Sequence, residues 1–413
     1  MKLVVFEDDG LGGFGPLVSM KHLGQLNRGT KTLLDGLRES IADATDLTLW
    51  GRDYLADACG EALGEVFNER AEGLTTFVNA RAKPGRLLLE LTSRRTPFAA
   101  MAGNQLVVAR VTGVGLRPGL MARRDSAEVG KRAERLQAPA DSLFNGFWEL
   151  VQTNGLAIAE QARHMKDQLS LPNTVEVRGP RSNLRVHGRA DVEFYTTFDT
   201  RLGPIIVEEG AYVESFSRVM GPCFIGPGTK VHSAMIGGGT SIFDGCRIGG
   251  QVENSIIMSQ TNKSHNGYVG DSYVGEWVNL GAGSTFSNLK NTYGNIKLDL
   301  VGKRIDSGML KLGSAVGDMS KVSIGTQVYC GKFLGTGCHI AGFTKRNVPS
   351  FTYSDGFGKM VELLIESVLD TQRRVMERRG KTLTRTGEAL IRHAFKNTSV
   401  ERQTFRVSKG RLE

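Results

Sequence analysis

The feature that most narrows what this chain can fold into is a period of six. Val207, Val213, Val219, Ile225 and Val231 stand six residues apart; after one step of five, Ile236, Ile242 and Ile248 resume the sixes. Farther on, Leu310, Val316, Val322, Val328, Leu334 and Ile340 repeat the spacing. A helix repeats near 3.6 residues and a strand at 2, so neither produces it. A parallel β-helix does: one aliphatic residue per hexad points into a triangular core, and small residues turn the corners. The chain supplies those corners in Ile225-Gly226, Ile236-Gly237, Ile248-Gly249, Val274-Gly275, Leu280-Gly281, Ile324-Gly325 and Leu334-Gly335. Its 52 glycines are mostly dispersed singly, which suits many tight turns. The pattern predicts a left-handed parallel β-helix of hexapeptide repeats over 186–350.

Between the two trains of sixes, Gly249–Asn295 reads as a polar, glycine-rich insertion carrying a histidine, several asparagines and a tyrosine. Everything around it has the look of scaffold, so this stretch is the expected catalytic site.

Residues 1–170 alternate short apolar runs with helical patterns and predict an α/β layer domain with a mostly parallel sheet. MKLVVFED, 47–50, 74–81, LLLEL (87–91) and QLVVARV (105–111) read as strands; TKTLLDGLRESI, EALGEVFNERA and 141–165 read as helical. The first strand runs into Glu7, Asp8 and Asp9 and then Gly10, Gly12, Gly13 and Gly15. Such glycines can cradle phosphates, but three carboxylates repel them unless a divalent cation intervenes. The same residues read equally well as an irregular turn. Residues 355–413 predict a helical tail: Met360, Leu363, Leu364, Ser367 and Val368 form an apolar stripe continuing through LDTQRRVMERR, and EALIRHAF forms a second helix.

The net charge of +9 is spread along the chain, and no aromatic residues interleave with the basic RRVMERRG run. Nucleic acid is therefore not the expected partner. Five cysteines form no CxxC pair, and no apolar run is long enough to span a bilayer. These features predict a cytoplasmic protein with reduced thiols and no membrane partner.

The segment NKSHNGYVGDSYVGEWVNLGAGSTFSNLKN (262–291) is similar to the acetyltransferase part of the bifunctional N-acetylglucosamine-1-phosphate uridylyltransferase and glucosamine-1-phosphate acetyltransferase. FEDD, PLVSMKHLGQLNRGTKTLL, VNARAKP and FWELVQTNGLAIAEQ resemble a divergent branch of that family. The resemblance implies a nucleotidyltransferase-like first domain, a homotrimer, acetyl-coenzyme A as cofactor and a small sugar phosphate as substrate. It places the catalytic histidine on His265 and the assisting asparagine on Asn288. Substrate contacts fall on Tyr268 and Asn279, and a coenzyme A contact falls on Ala282. Three departures stand out. Glu253 falls near a substrate-gripping lysine, and Leu289 replaces a tyrosine. Asn79 and Arg81 occupy a metal-binding turn. Mg²⁺ and a nucleoside triphosphate are implied only where the first domain keeps uridylyl transfer; no metal ligands are assigned.

The chemistry of the residues agrees with acyl transfer. A thioester passes its acyl group to a neutral amine, so the site needs a base and donors for the developing oxyanion. Imidazole titrates near neutrality, which suits His265 as base. Backbone amides around Gly281, Ala282 and Gly283 can approach an oxyanion or thioester closely. Lys345 and Arg346, beyond the last hexad, either bind coenzyme A phosphates or are exit-loop charges. His232 and His339 lie beside core-facing residues and should face solvent, and Trp277 and Tyr273 read as coil caps rather than as rings stacked on substrate. Two rivals remain open at the level of sequence: a sugar-1-phosphate nucleotidyltransferase with a purely structural β-helix, and a non-enzymatic sugar-nucleotide-binding regulatory protein.

Overall fold

The computed structural model describes residues 2–41, 46–164, 171–300 and 302–410; residues 165–170, which close the first expected segment, and 411–413 lie outside the described residues. In spatial order the N-terminal sheet runs Val66–Phe67, Asp46–Trp50, Lys2–Phe6, Leu74–Asn79, Gln105–Thr112, Phe98–Ala102 and Glu134–Gln137. The first four strands are parallel, and Gln105–Thr112 is antiparallel to both its neighbours. Along the first strand Leu3 and Val5 pack on one face of the sheet, while Val4 and Phe6 join Trp50 and Phe77 on the other.

One expected strand is a helix. LLLEL lies in Arg86–Thr92, where Leu88 and Thr92 are buried four residues apart and Leu89 is 46% exposed. Burial at a spacing of four is helical, whatever the β-like composition. The helix expected over 61–71 stops at Gly64, whose φ of 66° closes it, and Val66–Phe67 pairs as an edge strand. The expected 141–165 helix is two, Phe147–Gln152 and Asn154–Gln161.

The chain then winds into a left-handed parallel β-helix. Three flat faces repeat along it. Face I stacks 212–213, 230–231, 247–248, 262–263, 279–280, 321–322 and 339–340. Face II stacks 218–220, 235–236, 251–253, 268–270, 285–286, 327–328 and 343–344. Face III stacks 205–207, 223–225, 240–242, 256–257, 273–274, 315–316 and 333–334. The hexad aliphatics Val207 through Ile248 and Val316 through Ile340 fill the shared core. Two expected positions do not. Leu310 is 46% exposed, and Ile324, two residues beyond inward-facing Val322, is 77% exposed.

The expected insertion is largely not one. Strand pairing continues without a gap through Phe286, with Val252, Ile257, Val269, Val274, Leu280 and Phe286 in the core. Shortened steps at Val252, Ile257 and Val274 hide the period, and one inward position is a lysine, Lys263, paired in register with Ile248. The chain leaves the prism only after Phe286 and returns at Ala315, making an antiparallel hairpin of Lys297–Leu300 and Lys303–Asp306 on the way.

Face III packs on the N-terminal domain. The Tyr273 hydroxyl accepts from the Asn27 amide (2.7 Å) and donates to the Asn27 carbonyl (3.0 Å), and Phe333 meets Phe147 edge-on at 5.4 Å. Lys21 crosses the junction to Asp318 at 2.9 Å. In the tail, 360–362 is a strand rather than the start of a helix, pairing antiparallel with Thr352–Ser354. Helices follow at Ile365–Glu377, Arg385–Asn397 and Ser399–Thr404, and the first runs beside face I. No helix among the described residues is long and apolar enough to cross a membrane.

Candidate functional site

The densest polar cluster of the β-helix lies on face II and its corner with face III. Tyr268 lies flat because the next residue but one is Gly270: a Cβ there would stand 2.1 Å from the Tyr268 hydroxyl. That hydroxyl donates to Glu253 and accepts from Asn288 Nδ2 at 2.8 Å. Asn288 Nδ2 also reaches Asp271 Oδ2 (2.5 Å), and Asn254 Nδ2 donates to Asp271 Oδ1 (2.6 Å). Burial and then Glu253 push the Tyr268 phenol upward, so it stays neutral. Burial also raises Asp271, against the pull of Asn254, Asn288 and Lys311. Beside the cluster opens a cleft of about 420 Å³ lined by Trp148, Asn254, Asp271, Leu310 and Lys311. Exposed Leu310 is thus at the mouth of a cleft. The arrangement offers carboxylates, amides and one cation, which suits hydroxyls and an ammonium better than a bare phosphate.

His265 stands exposed on the corner between faces I and II, in the loop that leads into Tyr268. The loop is pinned from beneath. Lys263 points into the prism and donates from Nζ to the carbonyls of Gly249 (2.6 Å) and His265 (2.9 Å). Only 3% of it is exposed, and burial pushes its pKa down to about 8. Counting six back from Val269 lands on this lysine, a signal present in the sequence but masked by the shortened steps.

Other expected residues scatter. Gly281 and Gly283 spend their amides on Val322 and Asn266 (2.8 Å each), correcting the expectation that they face a ligand; of the three, the Ala282 N–H alone has no backbone acceptor among the described residues. Asn279 is on face I, accepting from Asn262 at 2.8 Å, whereas Tyr268 is on face II. Tyr268 and Asn288 are brought together within the chain, and Asn279 is not with them. Lys345 and Arg346 are exposed in a cleft of about 440 Å³ with Phe343, Phe357 and Arg406. His339 points out of the prism but is half-buried, and burial with Lys321 pushes its pKa down to about 4. Tyr273 is an interdomain bolt, not a cap. Asp271, Asn254, Lys263 and Lys311 were not singled out by sequence; partners 17 residues apart meet only because one coil stacks on the next.

The acidic turn of the N-terminal domain is closed by guanidinium groups. Arg81 Nε and Nη2 grip Asp8 at 2.7 and 2.6 Å, and Asn79 Nδ2 adds a bond at 2.9 Å. Glu7 is fully buried and gripped by Arg52. Burial alone would raise Glu7, but His22 and Arg52 hold it below the usual range; burial lowers His22 itself, leaving Arg52 as the effective charge. Among the described residues no group of acidic, histidine or cysteine side chains is arranged to hold a metal ion. Asp8 already has both oxygens occupied, so these residues do not fit Mg²⁺. All five cysteines are free and buried.

No protein-family model matches the chain. Individual relatives do. The bifunctional sugar-1-phosphate nucleotidylyltransferase/acetyltransferase of Sulfurisphaera tokodaii is 34% identical over 141 residues, 32% of this chain and 34% of that one. The bifunctional protein GlmU of Methanocaldococcus jannaschii is 34% identical over 105 residues, 25% of this chain and 26% of that one. GlmU of Sorangium cellulosum is 26% identical over 359 residues, covering 82% of this chain and 70% of its own. The chain thus spans about a third or less of the first two curated relatives. A hexapeptide transferase family protein from Anaplasma phagocytophilum overlays 53% of this chain and 96% of its own, at 14% identity and a TM-score of 0.20, too loosely to add to what the coils show.

Proposed function

We propose that this chain, a divergent relative of the GlmU-type bifunctional enzymes, is a transferase that moves an acetyl group from acetyl-coenzyme A to the amine of a sugar phosphate, glucosamine 1-phosphate or a related amino sugar. The observation that carries the reading is the Glu253–Tyr268–Asn288–Asp271 chain of hydrogen bonds, two of whose members coincide with substrate-handling positions of the family and which follows directly on His265.

In this reading the sugar enters beside Asp271 and Lys311, and Tyr268 and Asn288 hold its hydroxyls. His265 takes the proton released as the amine attacks, and the Ala282 N–H donates to the developing oxyanion. Coenzyme A supplies the activated acetyl group; Lys345, Arg346 and Arg406 have the charge and exposure to bind its phosphates. Glu253 in place of a lysine argues for an acceptor whose phosphate lies elsewhere in the pocket. A homotrimer in the cytoplasm belongs to the same proposal and is tested by solution mass. Metal-dependent uridylyl transfer is not included, because the Asp8 oxygens are already taken by Arg81.

The test is His265→Ala, with acetylation of a panel of amino sugar phosphates followed by thiol release. Loss of about 10²- to 10⁴-fold in kcat, the usual worth of a general base, is expected. Unchanged turnover would sink the proposal. Pyrophosphate release from a nucleoside triphosphate and a sugar 1-phosphate, without thiol release, would favour the nucleotidyltransferase alternative.

A further inference from the structure

Between face I and the long C-terminal helix lies a groove of about 330 Å³ that the acetyl-transfer reading does not use. Arg247, Lys321, Arg378 and Arg379 line it together with Gln260, Asn262, Asn279 and Trp277, and no carboxylate is among the lining residues. None of the four cations makes an ion pair among the described residues. Lys321 is bonded to the Trp277 carbonyl (2.9 Å) and Arg379 to the Gly245 carbonyl (2.9 Å). Like charges gathered in a partly dry groove repel one another, and folding alone gives no reason to collect them. Arg379 registers the repulsion, since burial and then Arg247 and Arg378 lower it; Lys321 is pushed down to about 8 by burial alone.

A second observation concerns the backbone. Three residues before the inward residues of face I the coil turns through the left-handed region; four coils place glycine there, Gly210, Gly228, Gly245 and Gly337 with φ of 62–66°, and another places the buried Met319 with φ of 62°. The two coils that floor the groove instead carry Gln260 (φ 63°) and Trp277 (φ 58°). Residues other than glycine are disfavoured in this conformation and persist where their side chains are used; Met319 packs in the apolar cluster with the C-terminal helices, whereas Gln260 and Trp277 line the groove. Here they present a carboxamide and an indole to the cations.

We propose that this groove binds the diphosphate group of a small molecule, with Arg247, Arg378 and Lys321 on its oxygens and Asn262, Asn279, Gln260 and Trp277 against the adjoining group. One phosphate, at about −1.5 to −2, would leave roughly half of the four positive charges unmatched, whereas a diphosphate comes close to balancing them. Arginine forks suit its paired oxygens. The site is distinct from the Tyr268 cluster, which is on the neighbouring face.

The test is calorimetric titration of the full-length protein with inorganic pyrophosphate at constant ionic strength, and with inorganic phosphate as the parallel arm. Pyrophosphate should bind, phosphate should bind at least about tenfold more weakly, and Arg247→Gln and Arg378→Gln should each weaken pyrophosphate by about tenfold, the worth of one charged hydrogen bond. Removing either charge relieves the repulsion, so the ligand-free melting temperature should hold or rise and serves as the control for folding. Gln260→Gly, which relieves the left-handed turn, should raise that melting temperature while weakening pyrophosphate. The proposal is overturned by no pyrophosphate heat in the wild type, by equal affinity for phosphate, or by arginine variants that bind as the wild type does. No acetyl donor or acceptor is present in the titration, so its outcome is independent of the acetyl-transfer proposal.

Discussion

Two clusters of buried carboxylates in this molecule have opposite fates. At the strand ends of the N-terminal domain, Glu7 and Asp8 are each gripped by an arginine, so the charges cancel inside the fold. At the corner of the β-helix, Glu253 and Asp271 are held by a phenol and two amides, and Lys311 stands off across an open cleft. The first arrangement is complete without a ligand. The second satisfies the carboxylates with neutral donors that a sugar's hydroxyls can replace, and burial raises the Asp271 carboxyl above its usual range. Acidic residues after a first strand therefore mark structure here, and acidic residues in a repeat mark the proposed site.

The contrast is open to direct attack. Its largest consequence is Arg81→Met, which strands Asp8 in a place only 3% exposed. Removing one partner of a buried pair costs roughly 3–5 kcal/mol, so urea denaturation should show the N-terminal domain failing first. Lys263→Met comes next. The native lysine, at about 8, binds protons less tightly than the unfolded one, so the wild type gains stability as pH rises from about 8 toward the unfolded value. The methionine variant lacks that slope and leaves the Gly249 and His265 carbonyls without their donor, so its acetyl-transfer rate should fall as the His265 loop loses its tether. Thermal melts across pH, with turnover beside them, check both halves. Smallest is Asp271→Asn. With its pKa raised, Asp271 contributes stability that is present below the unfolded carboxylate pKa and is lost as pH rises through the folded one. The amide does not titrate, so the variant should lose that pH slope, and its NH2 opposes one of the Asn254 and Asn288 donors, so its acceptor KM should rise. Glu7 has the opposite sign: its lowered pKa gives stability above the unfolded value that is lost as pH falls, so acidification should loosen the N-terminal cluster before the corner.

Much of the architecture was legible because burial leaves a one-dimensional trace. Val207 through Ile248 and Val316 through Ile340 all reach the core, as their spacing demands. The trace failed where steps shortened. A coil can close with four or five residues at a tight corner such as Gly249-Gly250, so 249–286 read as an insertion although it is prism throughout. LLLEL misled because three leucines carry no direction of their own; only packing showed which of them is inside.

The sequence by itself determined that a chain with one aliphatic residue in six must wind into coils, because no other regular backbone returns a side chain to the core at that interval. It also fixed which short stretch carries His265, Tyr268 and Asn288. What only the tertiary structure decided is which polar groups meet. Stacking sets residues 15 to 17 apart side by side, as with Tyr268 beside Glu253, Asn288 over Asp271 and Asn262 over Asn279. It also folds Arg378 and Arg379 of the tail onto face I, where they make no ion pair among the described residues. Hydrogen bonds and Coulomb forces act over a few ångströms of space regardless of distance along the chain, so these encounters become visible only once the coils are stacked.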